Sequence, residues 1–265
     1  MLKEQTECWT LERLSPFGLL ISARKPGDHL QIIPVTQLKK WIAKYRVVVL
    51  RGFAQVAGDD LPGCCENLGE ILEWDFGAVN ELTVKENTKN YLFTHHAVPF
   101  HWDGAFTGRI PHYIFFHCET APPAGSGGET LFCDTTLLLK EAPPEKLKEW
   151  EQVEITYTTE KIVHYGGTFT APMIDWHPRS GEEILRYAEP VVDLNPVELE
   201  IKGVHKNLQA GFIEDLHKRL RDEKVCYSHE WKDGDIVIAD NFALLHGRKA
   251  FKRDAERLIR RVNIL

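Results

Sequence analysis

The sequence predicts a mainly β protein with flanking helices, a β-sandwich or jelly roll, and three observations carry that expectation. Short apolar or alternating runs bounded by Gly, Pro, Asn and Asp crowd the latter two-thirds of the 265 residues. The helical patterns between them are few and irregularly placed, so the strict strand–helix alternation of a doubly wound sheet is missing. No internal repeat, low-complexity tract or long flexible linker interrupts the chain, which predicts one domain over residues 1–265.

In chain order, RVVVLRGF (46–53) is β-branched and apolar and ends at a glycine, as a buried strand does. LPGCCENLGEILEW (61–74) has helical spacing. The polar stretch from Asn80 to Pro99 predicts an irregular segment able to act as a lid. Two strands follow, RIPHYIFFHCET (109–120) and GETLFCDTT (128–136), divided by the turn APPAGSGG. A helix starts near Pro143 and Pro144, since proline suits a first helical turn. VEITYTTEKIVHY (153–165) alternates as a strand, and residues 169–190 form a hairpin turning at 178–181. HKNLQAGFIEDLHKRLRDE (205–223) is the clearest helix, with Leu208, Phe212, Leu216 and Leu220 on one face. Strands over 229–251 and 256–265 close the chain.

Composition bounds the function. A net charge of −7 and the lack of a long basic run argue against a nucleic-acid surface. No apolar stretch reaches membrane-spanning length and the N-terminus lacks a signal-type apolar core, so a cytoplasmic protein without a membrane partner is expected. The six cysteines have no CxxC pair, which predicts reduced thiols, with Cys118 and Cys133 as small buried hydrophobes.

The chemistry-bearing candidates begin at HWD (101–103). In an extended segment His101 and Asp103 point to one side and Trp102 to the other, so an imidazole and a carboxylate can reach one ion. His117 and Glu119 have the same spacing but follow a Phe-Phe pair in a structural strand. Two neutral imidazoles and one carboxylate suit Fe(II) and leave open positions for reactants. The second imidazole must come from a later segment, where His164, His177, His205, His217, His229 and His246 are available. His205 and His217 fall on or beside the amphipathic helix, His177 lies in a turn, and His246 ends ALLHGR after an apolar strand. In the final strand Arg257, Ile259, Arg261 and Asn263 share a face, with the two arginines about 13 Å apart. Arginine forks match carboxylates, so a metal site beside them suits an acid that also ligates the metal.

HWD (101–103), GGETLFCDT (127–135), WKDGDIVIADNFALLHGR (231–248) and ERLIRR (256–261), taken jointly and in order, resemble the taurine-dioxygenase family (TauD/TfdA type) of Fe(II)- and 2-oxoglutarate-dependent oxygenases. The resemblance implies a double-stranded β-helix fold, O2 as oxidant and a small-molecule substrate. It implies His101, Asp103 and His246 as iron ligands, and Thr130 and Arg257 as holders of the C5 carboxylate of 2-oxoglutarate. Arg261 is then left for a second anion, and the family uses an arginine here for acidic substrates. Ala97 replaces a polar residue that taurine-cleaving members direct at their substrate, which argues against taurine. ILEWDFG (71–77), NYLFTHHAVPFHWDGAF (90–106) and GGETLFCDT are also similar to the oxygenases encoded beside isonitrile synthases, the PvcB or IsnB type. That likeness implies an isonitrile derivative of tyrosine or tryptophan as substrate, oxidised with loss of carboxylate to a vinyl isonitrile. Tyr91, Phe93, Phe100 and Phe106 are candidates to cup its ring, while His95 and His96 read as loop surface. The alternatives are a sulfonate or amino-acid hydroxylase of the same family, or a jelly-roll metal-binding module without catalysis.

Overall fold

The computed structural model describes residues 8–74, 77–162 and 165–265. Its strands are β1 (Trp9–Arg13), β2 (Leu19–Ala23), β3 (Val47–Arg51), β4 (Asn80–Leu82), β5 (Val98–His101), β6 (Tyr113–Thr120), β7 (Thr130–Asp134) and β8 (Glu154–Ile162). They continue as β9 (Tyr165–Pro172), β10 (Ile174–Trp176), β11 (Glu183–Leu185), β12 (Glu198–Lys202), β13 (Cys226–His229), β14 (Ile236–Asp240), β15 (Leu244–Arg248) and β16 (Leu258–Ile264). The helices are α1 (Val35–Tyr45), α2 (Leu61–Cys65), α3 (Thr135–Glu141), α4 (Pro144–Trp150) and α5 (Gln209–Leu220).

Seven strands form the major sheet in the order β1-β2-β3-β14-β6-β16-β4, and four form the minor sheet, β13-β7-β15-β5. The two sheets are the walls of a double-stranded β-helix. Between them Val47, Val49, Phe116, Phe132, Leu244 and Ile259 make one buried core. The opposite face of the major sheet, with Val48, Leu50, Ile238 and Val262, packs on Leu38 and Ile42 of α1. Both faces of β3 are therefore buried, which is why its sequence is an unbroken apolar run. The minor sheet's outer face, with Phe100, Cys133 and Leu245, packs against Phe212, Leu216 and Leu220 of α5. A separate three-stranded sheet, β12-β8-β9, adds Ile155 and Tyr157 to that layer.

Three expectations need correction. The helix expected over 61–74 stops after Cys65. Beyond it Gly69 approaches the C-terminus so closely that an added Cβ would lie 2.4 Å from the Leu265 carbonyl oxygen. Ile71 then bridges to Ile264, so pairing with the last strand overrides helical spacing. Leu208 does not belong to the buried stripe of α5; it lies in a 3-10 turn ahead of the helix and is 61% exposed. Finally, the strand expected over 153–165 is β8 only as far as Ile162; positions 163 and 164 lie outside the described residues, and Tyr165 belongs to β9. The N-terminal β1, β2 and α1, which the sequence patterns did not single out, extend the major sheet and cover it.

Among the described residues no helix is long and apolar enough to cross a membrane.

Candidate metal centre and its two cavities

Strand register builds the centre. His246 on β15 is the direct cross-strand partner of His101 on β5, so both imidazoles stand on one face of the minor sheet. Their ring centroids are 4.3 Å apart. Gly247 permits the close pairing of these strands: a Cβ there would sit 2.7 Å from the Val98 carbonyl oxygen. Directly after Asp103 the chain turns at Gly104, where a φ of +96° and the 2.6 Å that would separate an added Cβ from the Arg109 carbonyl oxygen exclude a side chain.

The three side chains converge. His101 Nε2 and His246 Nε2 lie 3.7 Å and 3.8 Å from Asp103 Oδ1. One ligand atom from each residue falls within a 4.8 Å group, the arrangement of a metal centre. His101 Nδ1 donates to the Pro99 carbonyl at 2.8 Å, which fixes the tautomer and leaves Nε2 bare. Burial lowers the affinity of both imidazoles for protons, pushing His246 down to about 3. Burial alone would raise Asp103, but Arg261, the two imidazoles and a hydrogen bond from Asn263 outweigh it and hold the carboxyl at about 2. Two neutral imidazoles and an ionised carboxylate are the donor set that a divalent iron ion requires.

Arg261 Nη1 donates to Asp103 Oδ1 at 3.1 Å and lies 3.0 Å from Oδ2. Asn263 Nδ2 donates to Oδ2 at 2.9 Å. Asn241 grips the backbone: its Oδ1 accepts from Asp103 N at 3.0 Å and its Nδ2 donates to Asp103 O at 3.0 Å. Sequence reasoning assigned no role to either asparagine. Asn263 carried a signal, since it shares the strand face of Arg261; Asn241 carried none, since it reaches Asp103 across 138 residues.

On one side of the triad lies a narrow cleft lined by Leu92, Val98, Thr130, Arg248, Arg257 and Arg261, among others. Arg257 is 4% exposed; its Nε donates to the Gly128 carbonyl at 3.2 Å, and its Nη1 is buried with no partner. Burial and the neighbouring Arg248 push this guanidinium down to about 9, still a cation at neutral pH. Thr130 Oγ1 accepts from Trp231 Nε1 at 3.0 Å, which leaves the threonine's own O–H to donate. An unpartnered guanidinium nitrogen and a free hydroxyl donor in one narrow cleft suit a carboxylate. The strict alternation expected of Arg257 and Arg261 is broken by a register shift between Leu258 and Ile259, yet both reach this cleft.

On the other side opens a cavity of about 780 Å³. Its aromatic wall comprises Trp74, Tyr91, Phe93, Phe100, Phe106 and Tyr165, and His101, Asp103 and Arg261 form its floor. Phe106 and Tyr165 pack edge to face with centroids 5.4 Å apart. Burial raises the phenols of Tyr91 and Tyr165, the latter to about 12, so both enter the cavity as neutral donors.

The remaining candidates lie elsewhere. His117 faces away from the triad, on the opposite side of β6 from Phe116 of the inter-sheet core, and Glu119 is ion-paired with Arg260. His177 Nε2 donates to Asp240, at 3.0 Å from Oδ2, and its Nδ1 accepts from Arg179 N and Ser180 N in the β10–β11 turn. His205 precedes the 3-10 turn at 206–208, His217 meets the Tyr187 hydroxyl at 2.8 Å, and His229 lies 3.4 Å from Asp235. His164 is outside the described residues. Ala97 and His96 are exposed, and His95 packs on Phe251; none of them lines the cleft or the cavity.

The sequence pattern of the family described as "Taurine catabolism dioxygenase TauD, TfdA family" matches residues 11–263. The chain is 42% identical to "3-((Z)-2-isocyanoethenyl)-1H-indole synthase" of Fischerella ambigua, over 99% of this chain and 97% of that protein. It is 36% identical to "Tyrosine isonitrile desaturase" of Pseudomonas aeruginosa, over 94% of this chain and 87% of the relative. Among solved structures it is similar to PvcB, "an Fe, alpha-ketoglutarate dependent oxygenase from an isonitrile synthetic pathway", with a TM-score of 0.83 and 32% identity. That likeness covers 100% of this chain and 94% of the other.

Proposed function

The chain belongs to the TauD/TfdA family of dioxygenases, and from that premise we propose an Fe(II)- and 2-oxoglutarate-dependent oxygenase acting on an isonitrile derivative of an aromatic amino acid. The substrate is of the tryptophan or tyrosine type, and the product is a vinyl isonitrile formed with loss of the carboxylate. One observation carries the reading: a His-Asp-His triad stands between a cation-lined cleft and a large aromatic cavity.

In this reading His101 and His246 offer their bare Nε2 atoms, and Asp103 its Oδ1, to iron. When bound, iron and 2-oxoglutarate supply the oxidising power of O2, the cosubstrate leaving as succinate and CO2. The net balance for the substrate is loss of one hydrogen from the carbon beside the ring and of the carboxylic acid as CO2 and a proton. Those two hydrogens leave with the second oxygen atom as water.

The chain's own residues bind and orient. Arg257, through its unpartnered Nη1, and Thr130, through its hydroxyl hydrogen, take the far carboxylate of 2-oxoglutarate. Arg261 has a buried Nε without a partner, and this atom takes the substrate carboxylate while Nη1 stays on Asp103. One guanidinium would then tie the substrate's leaving end to a metal ligand. Phe93, Phe106, Tyr91 and Tyr165 hold the ring, and the apolar lining keeps water from the reacting carbon.

The test is anaerobic mixing of the protein with Fe(II) and 2-oxoglutarate, expected to give a broad visible charge-transfer band, followed by aerobic succinate assays. Isonitrile acids of tryptophan and tyrosine should drive succinate release, with taurine and the free amino acids near background. Release with taurine and not with either isonitrile acid would overturn the substrate reading.

A further inference from the structure

Arg248 follows His246 by two residues on β15, and its cross-strand partners are Thr130 on β7 and Val98 on β5. All three line the cleft. Its side chain is turned to a different task from that of Arg257. Nη1 donates to the Leu92 carbonyl at 3.0 Å, and Nη2 donates to the Thr94 and His96 carbonyls at 2.6 Å and 2.7 Å. The guanidinium lies 5.1 Å from the centre of the Phe251 ring, and Nε is buried without a partner. No ion pair to Arg248 is present among the described residues, and the residue is 7% exposed.

A buried cation without an anion is costly, and here the carbonyl dipoles of one loop, with the face of the Phe251 ring, offset that cost. That loop runs between the two cavities. Leu92 belongs to the walls of both, while Tyr91 and Phe93 on either side belong to the aromatic cavity. The loop's own bonds are mostly local: Asn90 Oδ1 accepts from Leu92 N, and Thr94 Oγ1 donates to the Tyr91 carbonyl. Apart from those of Arg248, its backbone hydrogen bonds to other segments among the described residues are Phe251 N to His95 O and Lys85 N to Phe93 O, with the His95 ring against Phe251 and the Lys85 ammonium over the Phe93 ring beside them. Arg248 supplies three of its anchors at once.

We infer that Arg248 is a positioning residue: from the cosubstrate cleft it holds the 92–96 loop so that Tyr91 and Phe93 form the wall against which the substrate ring packs. This rests on the reading of cleft and cavity as cosubstrate and substrate sites.

The experiment uses the full chain with Arg248→Met and Arg248→Lys. In the metal-free proteins, hydrogen exchange of amides 92–97 should quicken by about 10-fold or more in Arg248→Met, with β14 and β16 unchanged. In the iron-loaded enzymes, substrate KM should rise about 10-fold or more and succinate release should outrun product, while KM for 2-oxoglutarate stays within about threefold. Arg248→Lys keeps the charge but not the fork, so it should fall between the two on both readouts. If Arg248→Met does not fold, the Arg248→Lys split decides. Unchanged loop exchange, or a raised KM for 2-oxoglutarate with the substrate KM untouched, overturns the inference; the second result would make Arg248 a cosubstrate ligand. Failure of the underlying reading looks different, since wild-type protein would then release no succinate with any isonitrile acid while the exchange experiment still reports on the loop.

Discussion

The cleft and the cavity meet at one triad, yet they are built differently. The cleft is made by neighbouring strands: Thr130 faces Arg248, His246 faces His101, and Arg257 and Arg261 lie on or beside the strand next to β6. Ladder hydrogen bonds fix those positions, so a few residues at short spacings suffice. The cavity draws its wall from segments scattered between Leu72 and Arg261, most of them loops. In the proposed reading, strand register holds the chemistry and loops choose what it acts on. Positions held by loops are freer to vary than positions held by strand ladders.

The comparison can be broken at its centre. His101→Ala or His246→Ala removes one of the three protein donors, so turnover should vanish and Fe(II) affinity fall more than about 100-fold, the upper range for outer residues alone. His117→Ala should leave iron binding intact, because His117 faces away from the triad. Equilibrium Fe(II) titration settles it; loss in His117→Ala with retention in His101→Ala would place the metal elsewhere.

Next come the two arginines, which sharpen the distinction between cleft and cavity. Arg257→Leu should raise KM for 2-oxoglutarate by roughly 10–150-fold, corresponding to about 1.5–3 kcal/mol for a charge-assisted pair. Arg261→Leu should raise substrate KM by a similar factor, or uncouple succinate from product, with KM for 2-oxoglutarate little changed. Varying each reactant in turn reads the split, and the reverse pattern would exchange the two roles.

A smaller effect is expected at Asn263. Asn263→Leu frees Asp103 Oδ2 from one of its donors, and iron affinity should drop about 10-fold while KM for 2-oxoglutarate holds. An unchanged affinity would mean that Arg261 alone orients the carboxylate.

Acid should weaken the metal-free protein through the same centre. His246 titrates near 3 when folded, against about 6.5 unfolded, so the unfolded chain binds more protons between those values. Stability therefore falls as pH drops through that window, by up to about 1.4 kcal/mol per unit for this residue. Urea unfolding at several pH values, with His246→Leu as control, should show a shallower slope in the variant.

The last expectation is a null. In the proposed reading Asp103 fills the ligand position that a chloride would need, so chloride buffer should yield no chlorinated product by mass spectrometry.

The sequence by itself determined the strand-built half. In HWD alternation sets His101 and Asp103 on one face, while GGET, the HGR ending β15 and Arg257 are legible through their joint resemblance, in order, to the family's motifs. It also determined the fold class, since VVVL and DIVIAD can be buried on both faces only inside layered sheets. The tertiary structure decided which later histidine completes the triad. Among the described residues, register brings His246 opposite His101 while His177 and His217 bond to Asp240 and Tyr187, and His229 bonds to the Tyr227 hydroxyl beside Asp235. It decided that Arg261 touches Asp103 as well as the cavity, and that Asn241 grips Asp103 from 138 residues away. It also decided that Leu208 leaves the helical stripe and that the 61–74 helix gives way to pairing with the C-terminal strand. Local periodicity reports the direction of a side chain from its own backbone, but its partners depend on which distant strands and loops the whole chain brings alongside.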